Sequence, residues 1–303
     1  MSKSSPDRRV VLKGAGAALL LGQAGEGFAL PADPPLIDRD YAADRKAFQT
    51  HILKRGPAPD VGESLADPPS GARVVAYRSG KLELLAWRSW PQGKAKRPAV
   101  LVLHGGNAMG RGHWDLAEPY VKAGYVAMMP SVRGENGQAG IFSGFYDEVD
   151  DVLAAGKVLA TEADVDPERI FLAGHSVGGT LTMLAAMTSA MFHAASPLSG
   201  SPSAFAFFSR FPEDVRFDAT NPREFEMRSA VCYATSFKCP TLIQYSSAPA
   251  RSAPAVDLTA DRARSAGLEV ESVGVPGDHF TAIPEQIRRS LAYFAERGSG
   301  AKG

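Results

Sequence analysis

Continuously apolar runs recur along most of the chain, separated by turn residues and by helical patterns. Two early runs, residues 74–77 and 82–90, flank Ser79-Gly80-Lys81, and this arrangement predicts an antiparallel hairpin. The later runs are apolar at successive positions, as expected of strands that are buried on both faces of a parallel sheet. These predicted strands are residues 98–103, 125–129, 169–173, 192–196, 240–245 and 268–275.

Helical patterns fall between those runs. The predicted helices are residues 145–160, 178–191, 256–266 and 284–296. Alternation of strand and helix predicts the α/β class, with a mostly parallel, doubly wound sheet, right-handed crossovers and helices on both faces. We expect this single domain to cover residues 73–297. Residues 201–237 interrupt the alternation with many Phe and Pro residues, and predict a cap-like insertion over the carboxyl edge of the sheet.

Residues 30–72 differ from the rest of the chain in composition. They are rich in Pro, Asp and Arg, except for a helical pattern over residues 41–54 that places Phe48, Ile52 and Leu53 on one face. We therefore expect an N-terminal arm that packs on the main domain.

The N-terminal residues 1–29 have the order of features typical of a twin-arginine export signal. Arg8-Arg9 precedes a weakly apolar stretch at residues 14–21, and small residues follow up to Ala29, the expected cleavage position. The apolar stretch is much shorter than the roughly 20 residues that a membrane span needs. We expect a periplasmic or secreted protein without a membrane span; an ordinary basic N-terminus is the alternative.

Composition narrows the class of partner. The 303 residues are 45% apolar, which is enough for one large α/β domain. The 33 basic and 33 acidic residues balance, so no overall field favours nucleic acid or an anionic membrane, and we expect a small or peptidic molecule as the partner. Cys232 and Cys239 form either a disulfide or two buried thiols. No Cys/His spacing indicates zinc, and the oligomeric state stays open.

A candidate nucleophile lies between a predicted strand and a predicted helix, in Gly174-His175-Ser176-Val177-Gly178. A sharp turn at this point exposes a serine hydroxyl at the carboxyl edge of the sheet, and the glycines allow strand and helix to pass close together. The sequence thus predicts a nucleophile elbow with Ser176 as the nucleophile. A glycine-rich turn without a catalytic role is the alternative.

Two further motifs supply the other groups that acyl transfer needs. His104-Gly105-Gly106 follows a buried strand, so the backbone N–H of Gly105 or Gly106, together with that of Val177, predicts an oxyanion hole. His279 follows the last predicted strand and precedes the last helix, which is the position of the general base in this chain order. No metal or organic cofactor is required for this chemistry.

These motifs, together with Arg133-Gly134-Glu135 and Gly277-Asp278-His279-Phe280, resemble those of the prolyl oligopeptidase and dienelactone hydrolase branch of the α/β-hydrolases. The resemblance spans residues 73–296. It implies an α/β-hydrolase fold and a serine hydrolase, of carboxylesterase or serine peptidase type. Such an enzyme cleaves a small ester or a short peptide through an acyl-enzyme intermediate.

One departure from the family pattern concerns the triad acid. Relatives carry an Asp or Glu a few residues after the strand at 240–245, whereas residues 246–251 here contain no carboxylate. Asp257 is the nearest downstream acid and our candidate, and Asp214 is a second one. A catalytically impaired, ligand-binding protein is therefore the alternative to an enzyme, and acyltransferase or haloperoxidase-like chemistry on the same residues also stays open.

Overall fold

The computed structural model describes residues 34–90, 93 and 95–298, so the predicted signal at residues 1–29 lies outside the described part. The described residues form one eight-stranded sheet in the order β1-β2-β4-β3-β5-β6-β7-β8. β1 and β2 form the predicted hairpin, β2 pairs antiparallel with β4, and the remaining pairs are parallel. The strands are β1 (Ala72–Ser79), β2 (Leu82–Ser89), β3 (Arg97–Leu103), β4 (Val126–Pro130), β5 (Val165–His175), β6 (Ala194–Leu198), β7 (Thr241–Ser246) and β8 (Val270–Val275).

Helices cover both faces of the sheet, and the α/β-hydrolase architecture expected from the sequence is confirmed. The α-helices are α1 (Tyr41–Ala47), α2 (Glu118–Lys122), α3 (Glu148–Thr161), α4 (Val177–Thr188), α5 (Ala204–Arg210), α6 (Pro222–Glu226), α7 (Ala253–Ser265) and α8 (Ile283–Gly298). Short 3-10 helices span Arg111–Leu116, Pro212–Asp214 and Ala230–Ser236. No described helix is long and apolar enough to cross a membrane.

The alternation of side chains along β3 shows how the sheet separates two cores. Leu101 and Leu103 face the core that also holds α3, α4 and α7. Val100 and Val102 face the other core, which is closed by α2 and α8. Each central strand is therefore buried on both faces, which explains why its sequence is continuously apolar rather than alternating.

The predicted helix over residues 41–54 is shorter in the structure, because α1 ends at Ala47 and Phe48 is extended. The following residues pair with the 201–237 segment instead of continuing the helix. The N–H of His51 donates to Glu224 Oε1 at 2.6 Å, and the N–H of Leu53 donates to the carbonyl of Arg216 at 2.8 Å. Tertiary hydrogen bonds thus replace the last turns that the apolar spacing predicted.

The segment at 201–237 lies between β6 and β7 and consists of α5, α6 and two 3-10 helices. Its Phe residues form an aromatic cluster in which Phe205 stacks on Phe225, with ring centroids 4.8 Å apart. The fully buried Arg228 binds Glu224 Oε2 at 2.6 Å and donates to Thr50 Oγ1 at 2.8 Å. These bonds join the segment to the N-terminal arm.

Cys232 and Cys239 are free in the structure and both are buried. Burial raises the pKa of each thiol to about 12, so both stay protonated at neutral pH. Of the two alternatives left open by the sequence, the structure has the pair of buried thiols.

Candidate active site

Ser176 occupies the turn between β5, which ends at His175, and α4, which begins at Val177. Its backbone has φ 57° and ψ −117°, a conformation that is costly for a residue with a side chain. The N–H of Ser176 donates to the carbonyl of Leu198 at 2.9 Å, which ties the turn to β6. The serine of the predicted elbow therefore has the strained geometry that exposes its hydroxyl at the carboxyl edge of the sheet.

The glycines on either side of Ser176 are required by close packing. A Cβ on Gly174 would lie 2.4 Å from the carbonyl oxygen of Gly178, and a Cβ on Gly178 would lie 2.4 Å from that of Leu103. These distances are shorter than a carbon–oxygen contact allows. Strand β5, helix α4 and the end of β3 can approach this closely only because both positions are glycine.

His279 lies in the loop after β8, and its Nε2 is 2.9 Å from Ser176 Oγ. Asp278 fixes the shape of this loop, because its Oδ1 accepts the N–H groups of Phe280 at 3.0 Å and Thr281 at 2.8 Å. The hydroxyl of Thr281 in turn accepts the N–H of Asp278 at 2.8 Å. The structure thus brings together the nucleophile and the base that the sequence nominated.

The environment of His279 favours the neutral imidazole. Burial lowers its pKa, the positive charge of Arg210 lowers the pKa further, and the carboxylate of Asp278 acts in the opposite direction. The net pKa lies below the ordinary value for histidine, so Nε2 can accept a proton from Ser176 at neutral pH.

His175, the residue before the nucleophile, contacts the base directly. Its Nε2 lies 2.9 Å from the carbonyl oxygen of His279, and the two rings are 4.6 Å apart. Burial and the neighbouring His279 lower the pKa of His175 to about 4, so the ring is neutral and its Nε2–H donates to the carbonyl. The sequence motif did not indicate this positioning contact.

The predicted oxyanion donors border the serine. A Cβ on Gly105 would lie 3.3 Å from Ser176 Cβ, and Gly106 has φ +71°, a region that favours glycine. Val177 is the first residue of α4, so its N–H has no intrahelical acceptor. Within the described residues, the N–H groups of Gly105, Gly106 and Val177 donate to no backbone carbonyl.

A buried pair of side chains, His104 and Glu135, supports residues 104–106, hereafter the oxyanion loop. His104 Nε2 is 3.1 Å from Glu135 Oε2, and the same oxygen accepts the N–H of Val132 at 3.0 Å. Burial opposes protonation of His104, but the charge of Glu135 and its hydrogen bond outweigh burial and raise the pKa of His104. Glu135 belongs to the Arg133-Gly134-Glu135 motif, so the resemblance pointed to the segment without giving this role.

The structure does not bring Asp257 to His279. Asp257 lies inside α7, where its Oδ1 accepts the hydroxyl of Ser272 in β8 at 2.8 Å. Asp214, the second candidate, accepts the side-chain amide of Asn107 at 3.2 Å. In the part of the chain that the structure describes, no carboxylate bonds to Nδ1 of His279.

The loop after β7 explains this gap. It runs beside the base, since Ala248 N–H donates to the carbonyl of Gly277 at 3.0 Å and Ser247 N–H donates to that of Val275 at 2.9 Å. The position is suitable for a triad acid, but residues 246–251 carry none. Asp257 is at least a full helical turn further along, on a helix that packs against the strands.

The sequence model of the Prolyl oligopeptidase family matches residues 114–261, a range that includes Ser176. A search of curated proteins gave no significant sequence match.

Many solved structures share the fold. An uncomplexed acylaminoacyl peptidase from Pyrococcus horikoshii is 23% identical over 77% of this chain and 42% of its own, with a TM-score of 0.64. Esterase 2 from Thermogutta terrifontis, phosphoramylated by tabun, is 20% identical over 80% of this chain and 100% of its own, with a TM-score of 0.62. A putative dienelactone hydrolase from Klebsiella pneumoniae is 19% identical over 74% of this chain and 99% of its own, with a TM-score of 0.53.

The chain spans about two fifths of the length of the acylaminoacyl peptidases that it matches. Those similarities, all below 25% identity, establish the shared fold. The chain therefore has the α/β-hydrolase fold, and nearly half of it matches the model of the Prolyl oligopeptidase family.

Proposed function

We propose that the protein is an exported serine hydrolase that cleaves a small ester or a peptide-like amide through an acyl-enzyme intermediate. The observation that carries the proposal is the 2.9 Å contact between Ser176 Oγ, held in a strained turn, and Nε2 of His279. Three backbone N–H groups beside the serine, which donate to no backbone carbonyl among the described residues, support the same reaction.

In the first half of the proposed reaction, Ser176 Oγ attacks the substrate carbonyl carbon while His279 Nε2 takes the hydroxyl proton. The carbonyl oxygen becomes an oxyanion, which Val177 N–H and that of Gly105 or Gly106 stabilise. The imidazolium then gives its proton to the leaving oxygen or nitrogen, and the acyl group stays on Ser176. Water then attacks the acyl carbon while His279 takes a proton from it. The bond between that carbon and Ser176 Oγ breaks, the acid product departs, and His279 returns the proton to Ser176 Oγ.

The environment of Nδ1 bears on which substrates are favoured. A triad carboxylate orients the imidazole and stabilises the imidazolium, and its loss costs up to about four orders of magnitude in rate in a well-studied triad. Here His175 and Asp278 orient the base through its carbonyl and its loop. Because an ester with a good leaving group needs little protonation, we expect activated esters to react much faster than amides.

The nucleophile is tested by labelling with a fluorophosphonate. Organophosphorus reagents attack activated serines, and esterase 2 from Thermogutta terrifontis was solved as its tabun adduct. We expect the wild type to be labelled, Ser176→Ala to be unlabelled, and Ser209→Ala, which changes an exposed serine of α5, to behave as wild type. Equal labelling of wild type and Ser176→Ala, or no labelling of folded wild type, would contradict the proposal.

The second candidate function is ligand binding in a hydrolase-fold site without turnover. The observation that favours it is the lack of a carboxylate at Nδ1 of His279 among the described residues. Turnover of a short-chain 4-nitrophenyl ester that disappears in His279→Ala excludes this candidate. Saturable binding of an ester analogue without any turnover would instead establish it.

Export rests on the order of features in residues 1–29. We propose that the twin-arginine route delivers the protein to the periplasm or beyond and that cleavage follows Ala29. Expression in a bacterium with that route, followed by fractionation and intact-mass measurement, gives the mature N-terminus. We expect replacement of Arg8 and Arg9 by Lys to retain the full-length chain in the cytoplasm; unaltered processing of that variant would exclude this signal type.

A further inference from the structure

Three polar side chains converge next to the oxyanion loop, from three separate parts of the chain. Asn107, which follows the loop, donates its side-chain Nδ2 to Asp214 Oδ2 at 3.2 Å. The backbone N–H of Asn107 donates to Asp60 Oδ2 at 2.9 Å. A Cβ on Gly106 would lie 3.4 Å from the same Asp60 oxygen. The arm and the 201–237 segment therefore each place a carboxylate beside the oxyanion donors.

One buried acceptor in this cluster has no hydrogen-bond donor. Asn107 is 5% exposed and Asp214 is 7% exposed. The atom of Asn107 that faces the Asp214 carboxylate must be the nitrogen Nδ2, because only the nitrogen can donate a hydrogen bond. The oxygen Oδ1 of Asn107 is buried without a hydrogen bond. Buried polar atoms in native proteins are nearly always paired, so Asn107 Oδ1 indicates a missing hydrogen-bond donor.

The charges in this region point to a cation as that donor. Burial raises the pKa of Asp214, and the charges of Glu213 and Asp60 raise it further. The hydrogen bond from Asn107 and the charge of Arg216 lower the pKa but only partly offset the increase. Negative charge at this position also opposes the oxyanion that must form at Gly105 or Gly106. A cation bound between the carboxylates would remove both costs.

An ammonium group suits the site better than a metal ion. It has three N–H donors for three oxygens, those of Asp60, Asn107 and Asp214. The described residues contain no group of three or more His, Cys, Asp or Glu side chains placed to hold a metal. Asp60 lies beside Gly106, one of the residues expected to hold the substrate oxyanion.

We propose that Asp60, Asn107 and Asp214 form a subsite for the ammonium group of the substrate, so that the preferred acyl group is an α-aminoacyl group. The inference rests on the proposed function, because it assigns the substrate class of the Ser176 site. Neutralisation of the carboxylates by the substrate makes the oxyanion easier to form only when the amine is bound. Discrimination should therefore be largest in kcat/KM.

The test compares the phenyl esters of L-alanine and isobutyric acid, which differ by an ammonium in place of a methyl group, at a pH below the pKa of the amine. After correction for the ratio of the non-enzymatic hydrolysis rates of the two esters, we expect the wild type to favour the alanine ester by about tenfold to a hundredfold in kcat/KM, the worth of a hydrogen bond to a charged group. Asp214→Asn should remove most of that preference, because the alanine ester loses a partner for its ammonium group while the isobutyrate ester loses only a charge that opposes its oxyanion. Asp60→Asn is a second variant that tests the other carboxylate.

Asp218→Asn is the matched control, because it makes the same change of charge in the same segment, at a residue bonded to Thr220. Equal kcat/KM for the two esters, or an equal change of both in Asp214→Asn, overturns the subsite while the serine hydrolase stands. If turnover is slow, the rates at which the two esters protect Ser176 from the fluorophosphonate give the same comparison. Failure of folded wild type to be labelled at Ser176 overturns the proposed function instead.

Discussion

The two sides of His279 differ sharply in how they are built. On the Nε2 side, Ser176 is held by a strained turn, by close glycine packing and by a hydrogen bond to β6. On the other side, the loop after β7 is joined to Val275 and Gly277, just before the base, by backbone hydrogen bonds. Residues 246–251 of this loop contain no carboxylate that could bind Nδ1. The nucleophile and the loop after β7 thus belong to separate parts of the fold, so the geometry of Ser176 does not depend on a carboxylate in that loop.

The largest expected effect comes from breaking the close packing on the serine side. Gly174→Ala places a Cβ 2.4 Å from a backbone oxygen of α4, so the strand or the helix must move. We expect a loss of about 3 kcal/mol in the free energy of unfolding, at the upper end for overpacking, together with loss of fluorophosphonate labelling. Chemical denaturation measures the first quantity.

Gly112→Ala is the control for that variant, because a Cβ on Gly112 meets no atom within 4 Å. It should change the free energy of unfolding by less than about 1 kcal/mol. Equal stability of Gly174→Ala and Gly112→Ala would mean that the elbow is not packed as tightly as the structure has it.

A smaller effect follows from removing the bond by which the serine side positions the base. His175→Phe keeps a buried ring but lacks the Nε2–H that donates to the carbonyl of His279. Loss of one hydrogen bond of about 1–2 kcal/mol predicts a fall in kcat/KM of about 5- to 30-fold, with most of it in kcat. Rescue by His175→Gln, whose amide can donate, would show that the bond and not the ring is responsible; a kcat in His175→Phe equal to wild type would exclude a positioning role.

The pH dependence of kcat/KM tests how nearby charges set the pKa of His279. His279 must be neutral to act as a base, so activity falls as the pH drops through its pKa, and that pKa is lowered by burial and by Arg210. Removing the positive charge in Arg210→Gln should move the acidic limb to higher pH. Removing the negative charge in Asp278→Asn, which keeps an acceptor for the loop, should move it to lower pH.

Both shifts should stay below about one pH unit, because Asp278 and Arg210 are solvent-exposed. If the acidic limb moved in the same direction in both variants, or moved in neither, a group other than His279 would control the pH profile of kcat/KM.

The sequence could predict features that depend on neighbouring residues, but not features that depend on contacts between distant segments. The strands, the alternation and the Ser176 elbow follow from local apolar runs and glycine spacing, and the structure confirms the strands to within a few residues. The early end of α1 could not be predicted, because residues after Phe48 bond to Glu224 and Arg216, far away in sequence. The contacts of Asp60 and Asp214 with Asn107 likewise join distant segments.

The smallest expected effect concerns Asp257, which the sequence nominated for the acid side. Its carboxylate binds Ser272 and no described contact joins it to His279, so Asp257→Asn should leave kcat/KM and its pH profile unchanged. Loss of one partly exposed hydrogen bond should lower the free energy of unfolding by at most about 1 kcal/mol. Steady-state kinetics beside Ser272→Ala, which removes the same bond from the other partner, distinguishes the roles. A fall in kcat of a hundredfold or more in Asp257→Asn but not in Ser272→Ala would mean that Asp257 moves to Nδ1 during turnover. His279 would then have a side-chain partner at each of its two ring nitrogens.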